Sequence, residues 1–294
     1  MGMARTAWGF ATGTFGELVY GQIGADSFLI TLPIPWGTRA VYCHVPGHPL
    51  EVWPAHRTKA LRAVEILMES WGKHPSGILT LYSTLPIGKG MASSSADIVA
   101  TCRAVAAVFG RRISSGDIAR VASLIEPTDG IMYPGVVAFD PVQGHLLERF
   151  GATPPATIVG VLGYGSINTA ARHHLQKEYS PDHQRRLRQS LECARSGVEK
   201  RDVRLLGAAG RISAEVEYER EADSSLASLL AIAETEETGV IIAHSGTVRG
   251  LLLPRNMQQS AMRRLQQKLW ALDAGPVYRI PLLTATIHSL SGRV

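Results

Sequence analysis

Hydrophobic and polar positions change period along the chain, and each change marks an element. Over residues 5–53 the apolar residues come in short β-branched and aromatic runs at 19–20, 28–32 and 38–45, separated by glycine and proline. The run 38–45 partly alternates, and the whole stretch reads as strands. Leu61, Val64, Met68 and Trp71 then recur at helical spacing, and Gly72 ends that helix. Residues 77–84 return to a strand pattern. After a polar loop, Ile98, Cys102, Val105 and Phe109 predict a helix beginning near Ser94. Ser114 and Asp117 stand at capping-box spacing before the stripe Ile118, Val121 and Ile125, and Pro127 stops that helix. Strand patterning resumes at 135–140 and 144–150.

Gly151, Pro154 and Pro155 lie in the best linker, so residues 1–150 and 151–294 are expected to form two parts. The second part opens with a buried strand at 157–162 and a polar loop at 163–169. Ser180 and Pro181 start a helix as N-cap and first-turn proline, with Leu187, Leu191, Ala194 and Val198 as its stripe. Helices near 202–218 and 223–234 precede a strand pair at 240–243 and 248–253. A helix carrying Met262, Leu265, Leu269 and Leu272 follows, and residues 277–283 close the sheet. This mixture predicts an α+β protein.

Composition narrows the function classes. The 294 residues suffice for a sizeable core, and 45% hydrophobic with 19% charged residues is ordinary for a globular chain. The net charge of +5 is dispersed apart from Arg185, Arg186 and Arg188 on one helix, a solvated face rather than a nucleic-acid surface. Cys43, Cys102 and Cys193 are far apart and odd in number, which argues against a disulfide framework and for a reducing cytoplasm. No apolar run has membrane length, and no secretion signal is read.

The chemistry concentrates in residues 85–97, LPIGKGMASSSAD, between a strand and a helix. Gly88 and Gly90 let the backbone approach a ligand closely. Ser93, Ser94 and Ser95 open the helix, whose free N–H groups and dipole favour a phosphate, and Lys89 adds positive charge. A glycine–serine turn is the plain alternative, but three serines after Pro86, Gly88, Lys89 and Gly90 favour phosphate binding. The loop is not a Walker motif, because Ser83 and Gly90 hold the places of its first glycine and its Ser/Thr.

The run Pro86, Ile87, Gly88, Lys89, Gly90, Met91, Ala92, Ser93, Ser94, Ser95 resembles the Pro-x-x-x-Gly-Leu-Gly-Ser-Ser-Ala signature of the GHMP kinases, with Ala92 and Ser95 departing from it. Residues 11–18 (ATGTFGEL) resemble that family's N-terminal substrate-side motif. Residues 239–253 (GVIIAHSGTVRGLLL) resemble its C-terminal glycine-rich motif. The serine run, followed by residues 125–130 (IEPTDG), is most similar to the L-threonine kinase branch that serves cobalamin synthesis. The resemblance implies two lobes with ATP between them, a small-molecule acceptor such as L-threonine, and Mg2+.

Phosphoryl transfer needs a phosphate cradle, a metal and a group that places or deprotonates the attacking hydroxyl. The serine loop is the expected cradle. Glu126 is the metal candidate, with Ser94 as the preferred hydroxyl and Ser95 as the substitute. Asp129 is the candidate base; read locally, Glu126 and Asp129 are also a helix-end acid and a turn former. On the acceptor side Glu17 is a candidate for an ammonium and Arg39 for a carboxylate, with Ser245, Asn168 and Thr169 as polar lining. Adjacent His173 and His174 point to different faces of regular structure, so they are not read as a metal pair. Homoserine is the alternative acceptor, and a sensor that binds nucleotide without catalysis is the alternative class.

Overall fold

The computed structural model describes residues 4–165, 178–284 and 290–293. Asn168, Thr169, His173 and His174 lie outside the described residues. The strands are β1 (Arg5–Thr14), β2 (Val19–Ile23), β3 (Asp26–Ile30), β4 (Pro33–His44), β5 (Leu50–Trp53), β6 (Gly77–Ser83), β7 (Val136–Asp140), β8 (His145–Gly151), β9 (Ala156–Leu162), β10 (Gly239–Ile242), β11 (Val248–Pro254), β12 (Val277–Pro281) and β13 (Ser291–Arg293). The helices are α1 (Thr58–Ser70), α2 (Ser93–Val108), α3 (Ser115–Ser123), α4 (Pro181–Glu199), α5 (Val203–Arg220), α6 (Ser224–Thr235) and α7 (Gln259–Trp270).

Among the described residues three sheets result, in the orders β13-β1-β4-β6-β5, β2-β3-β7-β8 and β10-β11-β9-β12. Every pairing among them is antiparallel except β5 with β6, so the expected α+β class holds. The first sheet shows how period 2 sorts residues by face. Ala7, Ala40, Tyr42 and Leu79 are buried, and they sit in the paired registers Ala7↔Tyr42, Ala40↔Leu81 and Tyr42↔Leu79. α2 packs on β1 and β4, and α1 packs on α2. Trp8, Arg39 and Tyr82 occupy the alternate positions on the opposite face.

α2 is buried on nearly every side, as its apolar composition requires. α3 carries the predicted capping box, in which Ser114 and Asp117 satisfy each other's backbone N–H groups. It ends at Ser123 rather than running to Ile125. Residues 124–126 continue as a turn, with the Glu126 N–H donating to Ala122 O at 3.0 Å. α4 begins at the predicted Ser180 cap with Pro181 in its first turn.

α4 and α5 pack against each other and against β2, while α5 also covers β10 and β11. One apolar core runs from the first sheet through Phe15, Ile30, Phe139 and Ile158 to Leu187 and Leu206. A second lies between the β9–β12 sheet and α6 and α7, around Leu229, Leu251, Met262 and Leu269. β13 was not anticipated. It pairs with β1, through Ala7↔Arg293 and Trp8↔Gly292, at the edge of the first sheet.

Candidate active site

Three glycine-bearing segments meet at the N-terminus of α2. The Gly16 N–H donates to Gly90 O at 2.9 Å, and the Thr14 N–H to Met91 O at 3.2 Å. From the other side, the N–H groups of Thr247 and Val248 both donate to Lys89 O, at 3.0 and 3.1 Å. The Glu17 N–H donates to Ile242 O at 2.8 Å. Residues 11–18, 85–95 and 239–253 are thus laced together by backbone bonds. Glycine is required at the crossing. A Cβ on Gly246 would lie 2.3 Å from Lys89 O, and one on Gly90, whose φ is +79°, would lie 2.3 Å from the Ala243 Cβ.

Ala92, in the left-handed region at φ 57°, turns the chain into α2 and offers no side-chain cap. The first-turn N–H groups of α2 therefore keep their donors for a ligand. Ser93, Ser94 and Ser95 form that turn. The Ser94 hydroxyl donates to one oxygen of Glu126, and Lys59 Nζ pairs with the other. The Ser95 hydroxyl donates to Asp129 Oδ2 at 3.0 Å, and it accepts from Thr128 Oγ1 at 3.1 Å and from the Asp129 N–H at 3.3 Å. The two acids leave the turn after α3 and meet successive serines of α2.

The electrostatics of Asp129 set it apart. Burial pushes its carboxyl up to about 7; the negative charges of Glu17 and Glu126 add to this, and the Ser95 hydrogen bond opposes it. Glu17 is itself buried, and its Oε2 accepts from the His244 N–H at 2.8 Å and lies 3.1 Å from His244 Nδ1. Behind the first turn of α2, Arg57 pairs with buried Asp97, which also accepts from Thr38 Oγ1 at 2.7 Å. Lys89 folds away from α2, donating to Gly163 O at 2.6 Å and to Gly165 O.

Of the residues singled out from sequence, Ser93, Ser94, Ser95, Glu126, Asp129 and Glu17 come together here. Gly88 and Gly90 take positive φ in the loop, and Pro86, Ile87 and Met91 complete it, with Met91 buried and Ile87 exposed. Ser245 lies in the same turn as Gly246 and His244, the residue that contacts Glu17. Arg39 is not brought to this cluster. It is exposed on the face of the first sheet opposite α2, stacked 5.2 Å from the Trp8 ring centre. Sequence reasoning missed Lys59, Arg57 and His244. The signal for the first two was legible: cations at a helix N-terminus oppose its dipole unless carboxylates face them.

These side chains fit a magnesium nucleotide. Ser94 and Glu126 present two hard oxygens in contact, beside uncapped helix N–H groups. Among the described residues no group of three His, Cys, Asp or Glu side chains is placed to hold a metal alone. A cation here would draw its remaining oxygens from phosphate and water, which suits Mg2+.

Comparison with known proteins finds similar chains. Residues 58–135 match the GHMP kinases N terminal domain. The chain is 28% identical over 248 residues to the L-threonine kinase of Citrobacter freundii, covering 82% of this chain and 84% of that one. It is 27% identical over 261 residues to the L-threonine kinase of Salmonella typhimurium, covering 86% and 84%. The crystal structure of homoserine kinase from Cytophaga hutchinsonii superposes with a TM-score of 0.73 at 15% identity, over 100% of this chain and 98% of that one. Residues 58–135 therefore match the GHMP kinases N terminal domain, the chain shares the fold of the homoserine kinase structure, and over most of its length it is similar to L-threonine kinases.

Proposed function

We propose that this protein is an ATP-dependent kinase that phosphorylates the side-chain hydroxyl of L-threonine, giving O-phospho-L-threonine and ADP. The observation that carries the reading is the double pairing at the start of α2: Ser94 with Glu126, and Ser95 with Asp129. One pair is suited to a metal and the other to a proton. The similarity to L-threonine kinases supports the acceptor. The product would supply the aminopropanol linker of cobalamin, in the cytoplasm.

In this reading the first turn of α2 and the loop around Gly88 and Gly90 hold the β- and γ-phosphates. Ser94 and Glu126 would hold magnesium, which supplies positive charge to the transferring phosphoryl group. The threonine hydroxyl oxygen attacks the γ-phosphorus, and the bond to the β–γ bridging oxygen breaks. The hydroxyl proton passes to the Asp129 carboxylate. A carboxyl held at about 7 is a better proton acceptor than an ordinary aspartate, while still partly ionised at neutral pH. Ser95 and Thr128 fix its orientation. Glu17, backed by His244, faces the acceptor ammonium.

An ADP-release assay over L-threonine, L-serine, L-homoserine, mevalonate and galactose tests this reading. L-Threonine should give the highest kcat/KM. Preference for L-homoserine, the substrate named by the homoserine kinase fold relative, would move the acceptor assignment. Nucleotide binding without transfer to any hydroxyl compound would replace the kinase with a sensor.

A further inference from the structure

A cavity of about 530 Å³ lies behind the turn that follows Asp129. Its described walls come from the second half of α2, residues 111–113, the start of α3, residues 130–135, β1 at Thr12, and the stretches around residues 31, 33, 152–153, 283–284 and 290–291. Its charge is one-sided. Arg103, Arg111 and Arg112 line it, and no Asp or Glu does so among the described residues. Arg111 is committed to the Trp71 ring, 4.7 Å from its centre.

Arg103 is half-buried. It donates from Nη1 to Phe10 O at 2.7 Å and from Nη2 to Met132 O at 3.3 Å. Both partners are neutral carbonyls, and among the described residues it forms no ion pair. Burial lowers its guanidinium to about 10, a shift that only nearby Cys102 opposes. A guanidinium has five N–H donors, and a cation removed from water without a counter-charge is costly. Apolar side chains, Ile118, Ile131 and Tyr133 among them, form much of the remaining wall.

We propose that this cavity binds a small organic anion, with a carboxylate or phosphate-monoester head on Arg103 and Arg112 and an apolar body against Ile118, Ile131 and Tyr133. It is separate from the nucleotide and acceptor cleft. None of Glu17, Ser94, Glu126 or Asp129 lines it, and none of those acids acts on the Arg103 charge. Its wall nevertheless begins one residue after Asp129. The Tyr133 N–H donates to Gly130 O at 3.1 Å, closing a turn whose Met132 carbonyl accepts from Arg103 at 3.3 Å and from the Ser115 hydroxyl at 2.8 Å. An anion that drew Arg103 from that carbonyl would leave it to Ser115 alone and remove one of the turn's two side-chain anchors, giving the cavity a regulatory connection to Asp129. That connection rests on the kinase reading, but the binding itself does not.

The test is calorimetric titration of the whole chain with phenyl phosphate, phenylacetate and benzyl alcohol. The first two distinguish a phosphate head from a carboxylate, and the third keeps the ring without charge. At least one anion should bind at one site tenfold or more tighter than benzyl alcohol. Saturating non-hydrolysable ATP analogue and L-threonine should not displace it. Arg103→Met should weaken it at least tenfold, Arg103→Lys should recover part of that loss, and Ser94→Ala should leave it unchanged. Absence of anion binding, or equal affinity for benzyl alcohol, overturns the proposal. Displacement by the ATP analogue or by L-threonine overturns the separate site and leaves the kinase assignment untouched. If Arg103→Met does not fold, Arg112→Ala and the cavity-filling Ile131→Trp decide, because unchanged anion affinity in both refutes the site.

Discussion

Asp129→Asn should make the protein more stable and less active, and the two effects can be sized separately. In the native protein the Asp129 carboxyl holds its proton up to about pH 7, whereas in the unfolded chain it loses it near 3.8. Between those values the native state binds more protons. The carboxyl's stability contribution is therefore full below about pH 4, is lost as pH rises towards 7, and remains lost above it. A shift of that size corresponds to a ceiling on the order of 4 kcal/mol. Asp129 is partly accessible, so solvent screening should leave roughly 1–3 kcal/mol.

Asparagine keeps the shape and can accept the Ser95 hydroxyl, but it removes the charge facing Glu17 and Glu126. At pH 8 the variant should gain that roughly 1–3 kcal/mol, and below pH 4 it should match the parent. Urea unfolding at both pH values measures the gain. Turnover should fall by about 10²–10⁴-fold, the usual worth of general-base assistance. The parent's kcat/KM should decline as pH falls below about 7, and the variant should lose that acidic limb. Full activity in Asp129→Asn, or destabilisation at pH 8, would refute the reasoning and leave Asp129 a turn residue.

Ser94→Ala should weaken use of magnesium-ATP with little change in Tm; unaltered nucleotide affinity and turnover would remove the serine from the metal site. Glu126→Gln should raise the magnesium concentration for half-maximal rate, because an amide is a weaker hard-oxygen ligand, and a magnesium titration at fixed ATP reads this directly. Gly246→Ala should cost about 1–3 kcal/mol from overpacking against Lys89 O, and an unchanged urea midpoint would show that the crossing tolerates a methyl group. A threonine analogue lacking its ammonium should be turned over far more slowly than L-threonine, since it leaves Glu17 uncompensated; equal rates would take Glu17 out of acceptor binding.

Local pattern made the serine loop legible. The change from strand period at 77–83 to helix period after 93, with glycines and serines between, placed α2 within one residue of its observed start. Pro127 fixed where Glu126 and Asp129 leave the preceding turn. Contacts across long sequence separations left no such trace. Lys59 meets Glu126 across 67 residues, and Glu17 meets His244 across 227. Arg39 shows the limit of alternation. Period 2 puts it opposite Thr38, but only the packing of α2 on the Thr38 side reveals which face holds the cluster. β13 is three residues long, too short for any periodicity to announce it.

That short strand also bears on how the protein is made. Residues 291–293 close the edge of the sheet on which α2 rests, pairing with residues 7–9 at the other end of the chain. A ribosome delivers β1 long before β13. Until residues 291–293 emerge, β1 presents on that side a bare edge of N–H and C=O groups, open to any passing strand. The half bearing the serine loop can begin to fold early, but its sheet is finished only once residues 291–293 have emerged. Ribosomes stalled before residues 291–293 emerge should therefore hold a chain whose serine loop is present while its supporting sheet is still open.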